Sequence, residues 1–339
     1  MNVKCGAAIL FVYSSVLAMA PASAAVRQYY VSAEDQSWDF APTGLNLVHC
    51  IPGPAPCEIP EPWTSSHTFP VTRYIQYTDD TLRTPVRQPP WLGILGPIIR
   101  AEVGDTVRVH FCNRSGQGVG MHPHGFRYDK DNEGGHYFGA NSGVGPGAGA
   151  EIDPGQCFDY VWTVDADAGP AAGDPSSKVW WYHSHIDEPA DINSGLLGPI
   201  IVTRRGWARP DATPVDVSRE FVTAFVIFDK LEGEEPGLMH SINGYIFGNL
   251  KGLVMHQGEK VRWHLLGMGN EVDLHTPHWH GKTVTVGGPL VARRTDVVEL
   301  LPATMITADM NADNSGEWMF HCHVADHINA GMFTSYQID

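Results

Sequence analysis

Short stretches of β-branched and aromatic residues recur along the chain, many of them alternating apolar with polar positions, and Gly, Pro or Asn separates them. They include TVRVHF (106–111), FDYVWTV (158–164), KVWWYHSH (178–185), FVTAFVIF (221–228), KVRWHLL (260–266) and GMFTSYQI (331–338). Such runs are typical of β-strands. No long segment shows the 3.6-residue period of an amphipathic helix. The pattern therefore predicts an all-β fold of the sandwich type rather than an α/β fold.

The two halves of the chain repeat one order of motifs. GDTVRVHFCNRSGQGVGMHPHG (104–125) parallels GEKVRWHLLGMGNEVDLHTPHWHG (258–281), and KVWWYHSHIDEPADINSGLLG (178–198) parallels EWMFHCHVADHINAGMF (317–333). The stretch between them, residues 206–218, lacks a strand pattern and contains two prolines. We therefore predict a duplicated β-domain, with domain 1 at residues 25–205, a linker at 206–218 and domain 2 at 219–339.

The first 24 residues have the features of a secretory signal peptide. Lys4 precedes an apolar run, and Ala22 and Ala24 flank Ser23 in the small-x-small pattern of a cleavage site. We predict cleavage after Ala24 and export to the periplasm or the medium. No later segment is apolar for long enough to cross a bilayer. The formal net charge of −16 argues against nucleic-acid or anionic-lipid partners, which it would repel.

Cysteines of an exported protein are expected to pair. Removal of Cys5 with the signal peptide leaves an odd number, namely Cys50, Cys57, Cys112, Cys157 and Cys322. If Cys322 is a metal ligand, the other four can form two disulfides in any of three pairings. Of these we choose Cys50 with Cys57 and Cys112 with Cys157.

Pairs of histidines two residues apart occur at matching places in both halves. They are His122 with His124, His183 with His185, His278 with His280, and His321 with His323. Residues two apart on a strand point to the same face, so each pair can direct two imidazoles to one place. A packed β-sandwich has no need of paired imidazoles, and four such pairs therefore indicate a shared metal site.

The segment HCHVADHINAGM (321–332) adds a second set of ligand types. Alternation along a strand sends Cys322 to the face opposite its flanking histidines. A thiolate, two imidazoles and a thioether form the ligand set of a blue-copper site, here supplied by His275, Cys322, His327 and Met332. The aligned positions in the first half are Val119, Ser184, Asp191 and Leu196, so only the second half carries this set.

The four motifs HxH (122–124), HxH (183–185), HxxHxH (275–280) and HCHxxxHxxxxM (321–332) together resemble those of multicopper oxidases, in particular the bacterial two-domain type. In addition, WLGILGPIIRAEVGDTVRV, SGLLGPIIV, INGYIFGNLKGL and MGNEVDLHTPHWHG look like the A-type domains of ceruloplasmin and hephaestin. The resemblance covers most of residues 70–339. It implies two cupredoxin-like Greek-key β-sandwiches in tandem.

The resemblance also implies four copper ions per chain and a role for each ligand. Type 1 copper would be held by His275, Cys322, His327 and Met332, and type 2 copper by His122 and His278. The type 3 pair would be held by His124, His183, His185, His280, His321 and His323. A reductant would give single electrons to the type 1 copper, and Cys322 with the flanking His321 and His323 would pass them to the cluster, where dioxygen is reduced to water. Ceruloplasmin looks like three two-domain units fused, which implies a homotrimer with clusters between subunits. The alternative is a cluster within one chain.

The identity of the reductant stays open between two classes. We place phenols and aromatic amines, as in laccases, ahead of metal ions such as ferrous or cuprous ions. Asp326 resembles an acidic residue that assists iron oxidation in ceruloplasmin, but the acidic insertion that completes that iron site is reduced here to DKLEGEEPGLMHSINGY (229–245), with Glu232, Glu234 and Glu235.

Two other functions fit the residues less well. A copper nitrite reductase needs fewer cluster histidines, and a simple electron or copper carrier leaves eight paired histidines without a purpose. For the remaining histidines we expect structural roles only. They are His49, His67, His110, His136, His240, His256 and His264.

Overall fold

The computed structural model describes residues 24–48, 57–231, 237–269, 274–288 and 290–339. The predicted signal peptide lies outside these residues, except for Ala24. In the first half of the chain the strands are β1 (Val26–Asp39), β2 (Thr68–Tyr77), β3 (Ile99–Glu102), β4 (Thr106–Arg114), β5 (His122–Pro123), β6 (Cys157–Thr163), β7 (Ser177–His183) and β8 (Leu197–Thr203). They form two four-stranded sheets, in the orders β2-β1-β4-β6 and β3-β8-β7-β5.

The second half forms one six-stranded and one four-stranded sheet. Its strands are β9 (Arg219–Asp229), β10 (Leu238–Ile242), β11 (Val254–Met255), β12 (Lys260–Met268), β13 (Pro277–Trp279), β14 (Val284–Val286), β15 (Arg293–Thr295), β16 (Met305–Asn311), β17 (Gly316–Cys322) and β18 (Phe333–Ile338). The sheet orders are β10-β9-β12-β16-β14-β15 and β11-β18-β17-β13. The expected all-β fold is confirmed.

Helices are few and short. Helix α1 (Glu188–Ser194) lies between β7 and β8, and α2 (Ala325–Asn329) lies between β17 and β18. Three single turns of 3₁₀ helix cover Pro90–Leu92, Lys130–Asn132 and Ala166–Ala168. Each α-helix begins within three residues of the end of a His-x-His pair, and neither helix was predicted from the sequence. No helix in the described part of the chain is long and apolar enough to cross a membrane.

The two halves use the same strand pairing, as a duplicated domain should. In the first half β1 pairs in parallel with β4 and antiparallel with β2. In the second half β9 pairs in parallel with β12 and antiparallel with β10. Residues 206–218 run between β8 and β9, where the linker was predicted. The domain boundaries themselves stay a prediction.

Three large apolar clusters form the core. One lies in the first half around Phe111 and Trp162, and one lies in the second half around Trp263 and Phe320. The third joins the halves, because Trp181 and Leu197 pack in the same buried cluster as residues of the second half such as Val222. Complete burial of each large side chain contributes roughly 2–3 kcal/mol, so this shared cluster fixes the halves against each other.

A buried ionic contact crosses the same boundary. Arg100 on β3 donates to Glu220 on β9 at 2.6 Å, and His264 on β12 lies 2.8 Å from the other oxygen of that carboxylate. Glu220 and His264 are 5 % and 0 % exposed at the side chain. Buried charges require such partners, and the contact therefore ties β3 to the six-stranded sheet.

One predicted disulfide is present. Cys112 and Cys157 occupy directly paired positions of β4 and β6 and are bonded to each other. Cys57 is also disulfide-bonded, whereas its predicted partner Cys50 lies outside the described residues. Cys322 is a free, buried thiol.

Candidate metal centre

Four imidazoles of the first half converge at the end of one sheet. Strands β5 and β7 pair so that His122 lies opposite His183, and His124 and His185 follow two residues later on each strand. Ring centroids of contacting pairs are 5.1 to 5.7 Å apart. We call these four residues the first histidine set. The expected convergence of the two pairs is observed.

The second half repeats this arrangement. Strands β13 and β17 place His278 opposite His321, and His280 and His323 complete the second histidine set. Its ring centroids are 5.0 to 5.3 Å apart. The recurrence of one geometry in two copies of the domain shows that strand register, rather than accidental packing, positions the imidazoles.

A glycine follows the first His-x-His pair of each half, in HPHG and HWHG. Gly125 and Gly281 have positive φ angles of 77° and 71°. A Cβ atom would lie 2.5 Å from the Trp180 ring at Gly125 and 2.8 Å from the Trp318 ring at Gly281. Glycine is therefore required at both positions, because it lets the chain turn away from the histidines over a tryptophan.

Backbone carbonyl groups orient half of these imidazoles. In each case a ring Nδ1 lies 2.7 or 2.8 Å from a carbonyl oxygen. The contacts join His122 to Glu133, His183 to Ser184, His278 to Asp296, and His321 to Cys322. A carbonyl only accepts, so Nδ1 carries the proton and Nε2 keeps a lone pair. This is the arrangement by which outer partners fix metal-binding histidines.

The Nε2 atoms approach one another across each set. His124 Nε2 lies 3.0 Å from His183 Nε2, and His280 Nε2 lies 3.1 Å from His321 Nε2. Burial lowers the pKa of His124, His183 and His321 to about 4, so these rings are neutral at neutral pH. Neutral imidazoles with converging lone pairs suit a metal ion as their shared partner.

The two histidine sets are separate within one chain. Among the described residues, which include all eight histidines, no ring contact or hydrogen bond joins the first set to the second. Only the second set lies beside Cys322. Each set thus contains four of the eight histidines that the sequence predicted to share a metal site.

The predicted blue-copper ligands converge at a third place. His275 Nδ1 lies 3.2 Å from His327 Nδ1, and Cys322 Sγ lies 3.5 Å from His327 Nδ1 and 4.0 Å from His275 Nδ1. An ion about 2 Å from each nitrogen and about 2.3 Å from the sulfur would fit inside this triangle. The donor set thus fits copper in both chemistry and size.

Met332 and the backbone around Cys322 complete the predicted blue-copper site. Met332 is fully buried in the same apolar cluster as Cys322. The Cys322 amide donates to the Met332 carbonyl at 3.1 Å, and the Met332 amide donates to the His327 carbonyl at 3.0 Å. The Thr276 amide lies 3.3 Å from Cys322 Sγ and donates to it. Burial raises the pKa of the Cys322 thiol and lowers those of His275 and His327 to about 3 and 4.

In the first half, a polar contact occupies the position equivalent to the predicted blue-copper site. Ser184 Oγ donates to Asp191 Oδ2 at 2.6 Å, and the Ser184 amide donates to the Leu196 carbonyl at 3.1 Å, just as the Cys322 amide does to Met332. Val119 and Leu196 are fully buried beside them. Burial raises the pKa of Asp191. The backbone has been kept, while all four ligand types have been replaced, as the alignment of the halves indicated.

Two residues near these places were not recognised as functional from the sequence. The buried ring of His240, on β10, lies 4.9 Å from the ring of His327, whereas we had expected only a structural role for it. Glu188 lies 3.3 Å from His185 Nε2. Neither has a histidine two residues away, so the paired pattern could not reveal them. Asp326 lies in the first turn of α2 and is exposed.

Most of the other histidines lie beside carboxylates. His67, His110, His136 and His264 are within 2.7 or 2.8 Å of Asp39, Asp159, Glu151 and Glu220, and His256 is 3.8 Å from Asp339. His49 and the acidic residues Glu232, Glu234 and Glu235 lie outside the described residues.

Comparison with known proteins places these motifs in one family. Two family models described as multicopper oxidase match residues 93–206 and 221–339. The chain is 37 % identical to human "Ferroxidase HEPHL1" over 92 % of its own length and 29 % of that protein. It is 36 % identical to human hephaestin, covering 93 % and 29 % of the two chains, and 34 % identical to human ceruloplasmin, covering 95 % and 32 %. The chain thus spans about a third of these relatives.

Solved structures agree on the fold. A "Crystal structure of multicopper oxidase" superposes with a TM-score of 0.65 and 22 % identity over 93 % of this chain and 89 % of that one. The blue copper oxidase from Nitrosomonas europaea superposes with a TM-score of 0.62 and 22 % identity over 92 % and 86 %. The resemblance stated from the motifs is confirmed, and the chain belongs to the multicopper oxidase family, with ceruloplasmin-type and hephaestin-type sequence.

Proposed function

We propose that this protein is an oxidase that accepts single electrons from a reductant beside His327 and delivers them to dioxygen at a site built from both histidine sets. The convergence of His275, Cys322 and His327 within 4.0 Å, directly beside the second histidine set, carries this proposal. Bound copper would supply the one-electron chemistry and the four-electron reduction of dioxygen to water.

The ligand assignment follows the positions of the side chains. His275, Cys322, His327 and Met332 would hold the type 1 copper, and His122 and His278 the type 2 copper. The remaining six histidines of the two sets would hold the type 3 pair. They are His124, His183, His185, His280, His321 and His323.

Cys322 connects the two places through a short path. It is bonded along the chain to His321 and His323, and its carbonyl accepts a hydrogen bond from His321 Nδ1 at 2.7 Å. An electron leaving the sulfur can therefore reach an imidazole of the second histidine set through one residue of backbone and one hydrogen bond. In the first half, Ser184 offers no comparable sulfur, so electrons enter through the second half only.

Glu188 lies beside the first histidine set and is suited to transfer protons there. Its carboxylate lies 3.3 Å from His185 Nε2 and 3.9 Å from His183 Nε2. Reduction of dioxygen to water consumes protons, and a partly exposed carboxylate can carry them from solvent to that place. We assign Glu188 this role.

The separation of the two histidine sets supports a shared site between copies of the chain. If the first set of one copy meets the second set of its neighbour, a closed ring leaves no half-site unfilled, and three copies would match the length of ceruloplasmin. The loop beside the first set is suited to such contact. Its Phe138 is 70 % exposed, and its Gly135 forms a β-bridge with His185. We therefore propose a homotrimer.

Ferrous ion is the substrate that the surroundings of His327 favour. The His240 ring packs 4.9 Å from the ring of His327, and Asp326 precedes His327 on α2. An exposed carboxylate directly before a proposed copper ligand suits a divalent metal ion better than a phenol. The relatives named above include a ferroxidase. We accordingly place ferrous ion ahead of the phenols and aromatic amines that the sequence had favoured.

Oxygen uptake with ferrous ion and with a phenolic dye tests this proposal. We expect iron to be the better substrate and Asp326→Ala to lower the iron rate about tenfold while leaving the phenol rate within about twofold. Asp153→Ala, which removes an exposed carboxylate from the loop before β6, is the matched control. Higher turnover of the phenol, unaffected by Asp326→Ala, would identify a laccase-like enzyme. No oxygen uptake with either reductant would reject oxidase activity and leave an electron carrier.

We also propose that the protein is exported, on the basis of the signal-peptide pattern in its N-terminal residues. Residues 1–23 lie outside the described structure.

A further inference from the structure

A cavity of about 560 Å³ lies between the two halves of the chain, apart from the histidine sets. The first half contributes Arg204 and Trp207 to its wall, and the second half contributes Arg262, Thr285 and Arg294. None of the proposed copper ligands lines it. Its volume falls within the range of small-molecule sites, which often lie where two domains meet.

The floor of the cavity is a fixed network of charges. Arg262 is fully buried and donates to both oxygens of Asp309, at 2.6 and 2.9 Å. Its remaining donors reach Ser176 Oγ at 2.6 Å and Ser177 Oγ at 2.9 Å. Every donor group on this guanidinium has an acceptor, so the floor is rigid and has no free charge to offer a ligand.

Carboxylate groups in the cavity wall are likewise paired, with lysine side chains. Asp309 also accepts from Lys260 at 3.0 Å, and Asp216 accepts from Lys260 at 3.5 Å. Asp313 is paired with Lys282. These acidic groups are therefore neutralised and do not make the cavity a cation site.

Two guanidinium groups of the wall remain without an acidic partner. Arg204 uses Nη2 for the carbonyls of Ala171 and Asp174, at 3.0 and 3.2 Å, and its Nε and Nη1 donate to no group among the described residues. Arg294 is exposed and, within the same part of the chain, its side chain has neither a hydrogen bond nor an ion pair. These two guanidinium groups are therefore free to bind an anionic ligand in the cavity.

We propose that this cavity binds a small planar dicarboxylate. A guanidinium matches a carboxylate with two parallel hydrogen bonds, and each of the two arginines can take one carboxylate. The indole of Trp207, 45 % exposed in the wall, offers a flat face for the body of the ligand. The hydroxyl of Thr285 adds a further donor. Since no copper ligand takes part, this site is independent of the proposed oxidase activity.

Calorimetric titration of the full chain with phthalate tests the proposal, with benzoate and inorganic phosphate as comparison probes. We expect saturable binding of phthalate that is tighter than that of benzoate or phosphate. Arg294→Gln should weaken it about tenfold or more, because a charge-assisted hydrogen bond is lost. Trp207→Leu should weaken phthalate binding and leave phosphate binding unchanged.

Arg293→Gln is the matched control. Arg293 is the chain neighbour of Arg294 but pairs with Glu299 at 3.0 and 2.5 Å, and it does not line the cavity. Its substitution should leave affinity within about twofold. Equal loss in Arg293→Gln and Arg294→Gln would show diffuse charge attraction and overturn the site. Phosphate binding as tight as phthalate binding would overturn the planar dicarboxylate. Absence of saturable binding up to about 10 mM would also reject the proposal. Thermal unfolding of each variant shows whether it is folded.

Discussion

Cys322 is the residue on which the proposed delivery of electrons depends. It is a free thiol that lies within 4.0 Å of two imidazole nitrogens, and it is bonded along the chain to two members of the second histidine set. The serine at the equivalent position of the first half has a hydroxyl that already donates to a carboxylate. In the proposal, this one sulfur atom is the difference between a half that accepts electrons and a half that does not.

Replacement of Cys322 by serine should abolish the blue colour and stop oxygen uptake. The thiolate bond that gives the colour and the electron path is lost, whereas the eight histidines are untouched, so copper content should fall by about one ion per chain. Absorption spectroscopy and metal analysis measure both effects. Ser184→Ala, at the equivalent position of the first half, should keep the colour. A blue Cys322→Ser protein would disprove the ligand assignment.

Substitution of His240 should impair the oxidation of ferrous ion but not that of a phenol. His240→Phe keeps a ring against His327 but removes an imidazole that interacts electrostatically with Asp326, so we expect the KM for ferrous ion to rise about tenfold with the phenol KM within about twofold. The blue absorption band should be unchanged. His67→Phe, which removes an imidazole paired with Asp39 elsewhere in the chain, serves as control. If both substrates lose activity equally, His240 only supports the packing of His327.

Strand alternation is the part of the site that sequence alone could predict. Each His-x-His pair points to one face because the side-chain period of a strand is two, and the positions of the pairs in both halves predicted two matching sets. The contact between His240 and His327 depends instead on how β10 and α2 pack together, which no local pattern encodes. Helices α1 and α2 have 7 and 5 residues, too few to show a helical period.

The ionic contact between β3, β9 and β12 should make stability depend on pH. Burial alone would raise the pKa of Glu220, but the charge of Arg100 and the hydrogen bond with His264 outweigh it and lower that pKa to about 2 from 4.5. A lowered pKa in the folded state stabilises the protein above the unfolded value, and this contribution is lost as the pH falls through the folded value. It amounts to about 3 kcal/mol.

The Glu220→Gln variant tests how much this ionic contact between strands contributes to stability. We expect the variant to be less stable at neutral pH by about 3 kcal/mol, because the largely buried guanidinium of Arg100 loses its charged partner. Its stability should also depend less on pH than that of the wild type between pH 4.5 and pH 2. Urea unfolding of the copper-free protein at several pH values measures both. Glu299→Gln, at an exposed pair, is the control. Parallel pH curves for Glu220→Gln and wild type would contradict the prediction.

At the scale of the whole molecule, the proposed trimer depends on the separation of the two histidine sets. In that proposal each chain contributes one set to each of two shared sites. The sequence implied this arrangement only through its resemblance to longer relatives, since the separation of the sets is a property of how the two sandwiches pack through their shared apolar cluster.

Phe138→Ser should weaken the association of subunits. The phenyl ring is 70 % exposed in one chain, and its burial between copies would contribute roughly 2 kcal/mol per contact, so dissociation should begin at a protein concentration at least about thirtyfold higher than in the wild type. Sedimentation analysis measures this, and loss of copper from the histidine sets should accompany it. Val26→Ser, at a residue 62 % exposed at the start of β1, is the control. Unchanged association would exclude Phe138 from the interface, and a monomeric wild type would reject the trimer.

The contact between Ser184 and Asp191 limits how this protein can evolve. A mutation that restored cysteine at position 184 would place its sulfur beside a buried acid whose pKa burial has raised, with valine and leucine where an imidazole and a thioether are needed. All four positions would therefore have to change before the first half could offer the donor set of the second half. The proposed entry of electrons beside His327 thus has no counterpart in the first half that one substitution could create.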